Sequence, residues 1–115
     1  MARGDVVSVD LPAPPGGAGR EQSGRRPALA VQADNVGGHL PTLMIIPFTS
    51  QMSALRFPLT MQVQPSRANG LNQPSVLLVF QLRAIDRSRV IRTLGRLEPA
   101  YLDQLDGLMR QLLGL

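Results

Sequence analysis

Residues 19–27 read Gly-Arg-Glu-Gln-Ser-Gly-Arg-Arg-Pro and set Arg20, Glu21, Gln22, Ser23, Arg25 and Arg26 close together in a glycine-bounded loop. A guanidinium offers a planar fork of donors that grips an anion through two oxygens at once. Thr49, at the end of the apolar run Ile46-Pro47-Phe48-Thr49, adds a hydroxyl where a strand should finish. Together these groups suit an anion site better than a packed core. The segment over residues 12–25 exceeds the length of about 12 residues beyond which structureless loops in small domains are usually functional or disordered. Because it leads straight into a strand, function is the better reading.

Composition narrows the chemistry further. All 12 basic residues are arginines, against 8 acidic ones, for a net charge of +4. That balance favours a polyanionic partner, although a bias towards arginine in coding accounts for the count equally well, so placement has to decide. With no cysteine, disulfides, thiolate zinc sites and a cysteine nucleophile are all excluded. His39 is the single histidine, which rules out a two-histidine acid–base pair, and beside Gly37 and Gly38 it reads as an exposed loop residue. Asp103 and Asp106 read as the solvated face of the last helix. No metal-ligand spacing and no cofactor motif is present. The apolar stretch over residues 43–46 stops at Pro47 and that over residues 76–80 at Gln81, both far short of the roughly 18 residues of a membrane helix. The first residues lack the apolar core of a secretory signal, so the expected location is the cytoplasm, with no membrane partner.

The elements that must position these groups are mostly short strands. Val6, Val7, Val9 and Leu11 predict a first strand closed by Pro12. Residues 28–32 predict a second, and Asp34-Asn35-Val36-Gly37-Gly38 a turn. Residues 42–48, nearly all apolar, predict a central strand buried on both faces or near a subunit contact. A loop over residues 51–58 follows, then strands at residues 60–64 and 75–80 around a turn at residues 66–70. A helical or 3₁₀ turn is expected at residues 85–89 and a last strand at residues 90–97. From Pro99 the period changes, and Leu102, Leu105, Met109 and Leu112 mark an amphipathic terminal helix, weakened by Gly107. The 115 residues are expected to form a single domain: mainly β, a small antiparallel barrel capped by a helix.

Four segments, Gly4-Asp5-Val6-Val7, Glu21-Gln22-Ser23-Gly24-Arg25-Arg26-Pro27, Pro47-Phe48-Thr49-Ser50 and Gln81-Leu82-Arg83-Ala84-Ile85-Asp86-Arg87-Ser88-Arg89, carry a family resemblance. In order and spacing the series resembles the MazF/PemK family of toxin endoribonucleases along nearly the whole chain. The resemblance implies an SH3-like barrel with a C-terminal helix, a homodimer, and metal-independent cleavage of single-stranded RNA without a cofactor. It also implies a cognate antitoxin protein that blocks the RNA groove. By position in the motifs, the catalytic arginine falls on Arg26 and the catalytic threonine on Thr49. Glu21 and Gln22 fall on positions flanking substrate, and Gln81 and Arg83 on the family's Gln-x-Arg pair. Three residues depart from the pattern: Ser8 replaces an aromatic, Arg20 a small residue, and Phe80 a carboxylate. The departures keep open a second reading, a non-catalytic module of the same fold that grips a protein such as gyrase or holds RNA without cutting it.

Cleaving RNA without a metal requires a proton to leave the 2′-hydroxyl, charge to be stabilised at phosphorus and a proton to reach the departing 5′-oxygen, giving 2′,3′-cyclic phosphate and 5′-hydroxyl ends. Arg26 can hold the non-bridging oxygens while Thr49 donates to the same phosphate, with Arg20 and Arg25 strengthening the field. The resemblance assigns acid–base work to Arg26 and Thr49; Glu21, the only carboxylate of the loop, is a second candidate for the base, since a guanidinium with an ordinary pKa above about 12 accepts protons poorly. With aromatics at only 3%, recognition should rest on hydrogen bonds to base edges from Gln22, Gln51 and Gln81, with Ser23 and Arg83 also on the binding surface.

Overall fold

The computed structural model describes residues 2–12, 24–37 and 39–115. Its strands are β1 (Asp5–Leu11), β2 (Gly24–Ala30), β3 (Thr42–Thr49), β4 (Thr60–Val63), β5 (Ser75–Leu78), β6 (Arg83–Asp86) and β7 (Val90–Arg96). A one-turn helix α1 (Asp34–Gly37) joins β2 to β3, and α2 (Pro99–Leu113) ends the chain. The strands form one antiparallel sheet in the order β4-β5-β3-β2-β1-β7, with β6 also paired to β3. The architecture is the expected one, mainly β with a terminal helix, but the sheet stays open, with β4 and β7 as its ends.

β3 is the organising strand. One edge pairs with β2, while the other pairs first with β6 through residues 42–45 and then with β5 at Phe48 and Thr49. Its side chains alternate between two apolar clusters, Leu43 and Ile45 on one face with Val7, Val9 and Ile85, Ile46 and Phe48 on the other with Leu29, Met61 and Leu105. That is the two-faced burial its sequence predicts. The apolar run over residues 43–46 is therefore largely occupied by the chain's own core, since Leu43, Ile45 and Ile46 are at most 1% exposed. α2 covers the second face, with Leu105 fully buried and Leu102, Met109 and Leu112 packed partly against the same cluster.

Three elements depart from expectation. β2 begins at Gly24 rather than residue 28, because the β1 ladder extends over the polar residues, setting Arg25 opposite Asp10 and Arg26 opposite Val9. After Ala30 the ladder is continued by other means: Val31 donates to the Met44 carbonyl at 3.1 Å, and the Gln32 side chain accepts from the Met44 N–H at 3.2 Å. β5 stops at Leu78, opposite the first residue of β4, and the chain turns through a 3₁₀ segment, Val79–Gln81. That turn frees residues 83–86 to form β6, whose alternation around buried Ile85 is that of an edge strand.

Several recurring motif residues have structural work. Gly4 takes a positive φ of 95°, and Asp5 accepts from the Ala2 N–H at 2.9 Å and from Arg96 at 3.0 Å. Asp86 caps the 3₁₀ turn Arg87–Arg89 by accepting from the Ser88 N–H at 2.8 Å, which holds its carboxyl below the ordinary aspartate range. Asp106 does not simply face solvent; it pairs with Arg3 and ties α2 to the chain's start.

Candidate active site

A missing hydrogen-bond donor opens the site. β2 and β3 pair only at Ala28–Pro47, Leu29–Ile46 and Ala30–Ile45. Pro27 follows on β2 and Pro47 ends the ladder on β3; neither has an N–H to extend it. The same register continued would set Arg26 opposite Thr49. Instead the strands part there, and a cleft of about 400 Å³ lies between them, lined by Arg25, Arg26 and Pro27 on one wall and Phe48, Thr49, Ser50 and Gln51 on the other.

Each wall is anchored from behind. Thr49 pairs with Val76 of β5, and Phe48, 1% exposed, buries its ring in the core beneath, a burial worth about 2–3 kcal/mol. The Thr49 oxygen accepts from the Gln51 N–H at 3.3 Å, so its own proton remains available to a ligand. Arg26 is half-buried and its Nη1 makes a long 3.5 Å donation to the Phe48 carbonyl across the gap. Loss of solvation lowers its pKa from the ordinary arginine value, because burial disfavours the charged form.

The third wall, Leu71, Asn72, Gln73 and Ser75, was not singled out by the sequence. Its position depends on Asn69, fully buried, which accepts from the N–H groups of Ser66 and Leu71 at 3.0 Å each. The Asn69 amide donates to the Gln64 carbonyl at 2.9 Å and to Glu98 at 3.1 Å. Gly70 completes the turn at φ 70°, where a Cβ would stand 2.2 Å from the Leu94 carbonyl oxygen. The cluster of Pro, Ser, Asn and Gly over residues 65–74 reads as a turn; only a buried asparagine within it signals that the turn holds something.

A second cavity of about 400 Å³ shares Arg25, Arg26, Pro27, Leu71 and Asn72 with the cleft and is lined besides by Ser8, Gly70, Arg92 and Leu94. No carboxylate among the described residues lines either cavity.

The structure therefore brings Arg25, Arg26, Thr49 and Gln51 together. Arg20, Glu21, Gln22 and Ser23 lie outside the described residues. Gln81, in the 3₁₀ turn, and Arg83, opposite Ile45 on β6, line neither cavity. Phe80, beside Gln81, packs edge-on against Phe57 with ring centres 5.7 Å apart, so the apolar residue at this departure is used in packing. No helix among the described residues is long and apolar enough to cross a membrane.

The chain is similar over its length to proteins of known kind. Endoribonuclease EndoA of Bacillus subtilis is 31% identical over 106 residues, covering 92% of this chain and 88% of that protein. The crystal structure of MazF from Deinococcus radiodurans superposes with a TM-score of 0.79 at 28% identity, covering 100% of this chain and 97% of that one. A MazE-MazF structure from the same organism superposes with a TM-score of 0.73 at 27% identity, covering 100% and 96%. The family model described as PemK-like, MazF-like toxin of type II toxin-antitoxin system matches residues 2–113, and the chain belongs to that family.

Proposed function

We propose that this toxin is an endoribonuclease that cleaves single-stranded RNA, without a metal or cofactor, in the cleft between the ends of β2 and β3. The observation that supports this most strongly is a half-buried arginine lining the same open cleft as a strand-end threonine, just beyond the point where the β2–β3 ladder ends. Arg26 binds the non-bridging phosphate oxygens and stabilises the charge that builds at phosphorus. The proton that the departing 5′-oxygen needs comes from Arg26 or Thr49, the pair to which the family resemblance assigns the acid–base work. Thr49, whose oxygen is held by the Gln51 N–H, aims its proton at the same phosphate. The 2′-oxygen attacks, its proton passing to a base for which Glu21 is a candidate, and the products are a 2′,3′-cyclic phosphate and a 5′-hydroxyl.

Gln51, Asn72 and Gln73 supply side-chain amides on the cleft walls, the groups that read exposed base edges. Among the described residues no aromatic other than Phe48 lines the cleft, and Phe48 is buried, so selective hydrogen bonding replaces indiscriminate stacking. The family membership supports a homodimer in the cytoplasm and an antitoxin of complementary acidic character as partner.

The test is incubation of the purified chain with mixed-sequence RNA in excess EDTA, followed by mapping of the ends. Cuts at defined sequences with cyclic phosphate ends are expected; RNA bound but left whole would instead support a non-catalytic module.

A further inference from the structure

We propose that the second cavity, beside Ser8 and Arg92, is a subsite for a further phosphate of the same single-stranded RNA, with Arg92 as its anion-binding residue. This rests on the RNA-cleaving reading of the cleft. At about 400 Å³ the cavity falls within the roughly 300–1,000 Å³ of small-ligand pockets, and it matches the cleft in size. Arg25, Arg26, Pro27, Leu71 and Asn72 line both spaces. A strand gripped at Arg26 can thus pass from one to the other over a continuous surface.

Pairing of three strands builds this site. Ser8 of β1 stands opposite Pro27 of β2 on one side and Arg92 of β7 on the other. A serine at that central position leaves room that a larger side chain would fill. Gly70 and Leu94 form the opposite wall in van der Waals proximity too tight for any Cβ on residue 70, which fixes its shape.

Charge selects the occupant. Arg25, Arg26 and Arg92 line the cavity with no carboxylate among the described lining residues. Asp10, in register with Arg25, lines neither space. No aromatic ring of the described residues lines it either, so a base is not stacked there, and a phosphate held by guanidinium forks is the chemistry the walls offer.

Binding of a mixed-sequence, 2′-O-methylated single-stranded RNA, which cannot be cut because its attacking oxygen is blocked, tests the subsite by fluorescence anisotropy across a salt series. Arg92→Ala should weaken affinity and flatten the slope of log K against log salt by about 0.7, the value for one fewer phosphate neutralised on a single strand. Arg92→Lys should restore most of that slope. Ser8→Phe, which fills the cavity without changing charge, should flatten it as Arg92→Ala does. Because Arg92 is exposed on β7, its variants keep the test open if Ser8→Phe fails to fold. Wild-type slope and affinity in Arg92→Ala, with the unsubstituted chain binding RNA normally, would overturn the subsite alone; failure of the unsubstituted chain to bind or cut RNA would overturn the reading beneath it.

Discussion

At the scale of single residues, the proposed chemistry depends on how two ordinary groups are held. An exposed arginine and a threonine ending a strand are common, and an exposed ion pair adds only about 0–1 kcal/mol. Here burial and a cross-gap contact remove Arg26 from that class, and the Gln51 N–H fixes the lone pair of Thr49. Asp86 shows the same principle without catalysis. Its folded-state pKa lies below its unfolded one because the Ser88 N–H favours the carboxylate. The stabilisation is therefore complete above the unfolded aspartate value of about 3.9 and is lost as pH falls through the lower folded value. Urea unfolding of the natural chain and Asp86→Ala should differ at neutral pH and converge in acid; a gap that persists unchanged in acid would contradict the cap.

At the scale of elements, the cleft is a property of pairing. β1 extends the ladder of β2 as far as Gly24, whereas β3 leaves β2 after Pro47, and the mismatch exposes Arg25 and Arg26. The alternating valines of β1, the apolar β3 and the helical spacing after Pro99 were legible in sequence because each is a local period. β6 was not, because its four residues are fixed by partners on β3, and the third cleft wall was not, because it depends on Asn69 reaching Glu98 across 29 positions. Asn69→Ala would strand the N–H groups of Ser66 and Leu71 and the Gln64 carbonyl. A loss of about 2–3 kcal/mol is expected in denaturant unfolding; a loss under about 0.5 kcal/mol, ordinary for a surface site, would contradict the network's role. Gly107 gives the opposite case: it is exposed within α2 with nothing inside 4 Å of a built Cβ. Gly107→Ala should stabilise the chain by about 0.5–1 kcal/mol, and destabilisation would show that this face of α2 is covered.

At the scale of the whole molecule, both cavities share the short segment Arg25 to Pro27, so the proposed RNA strand would lie across β1, β2 and the turn before β5. The family's resemblance was readable from motifs dispersed along nearly the entire sequence, yet several of those motif residues, Gly4, Asp5 and Asp86 among them, shape the backbone rather than the cleft. Motif position thus identifies the family, while some of its residues serve the backbone and not the cleft. Light scattering at micromolar concentration should give a dimer for the proposed assembly; a monomer would count against it. The central claim is that Arg26, set against Thr49 across the parted strands, provides transition-state stabilisation. Turnover of RNA by Arg26→Ala in excess EDTA, with folding verified by the urea midpoint, tests it most directly. A fall of at least about 10²-fold, the loss typical of removing one preorganised donor, is the expected result, and near-normal cleavage by the folded variant would contradict it.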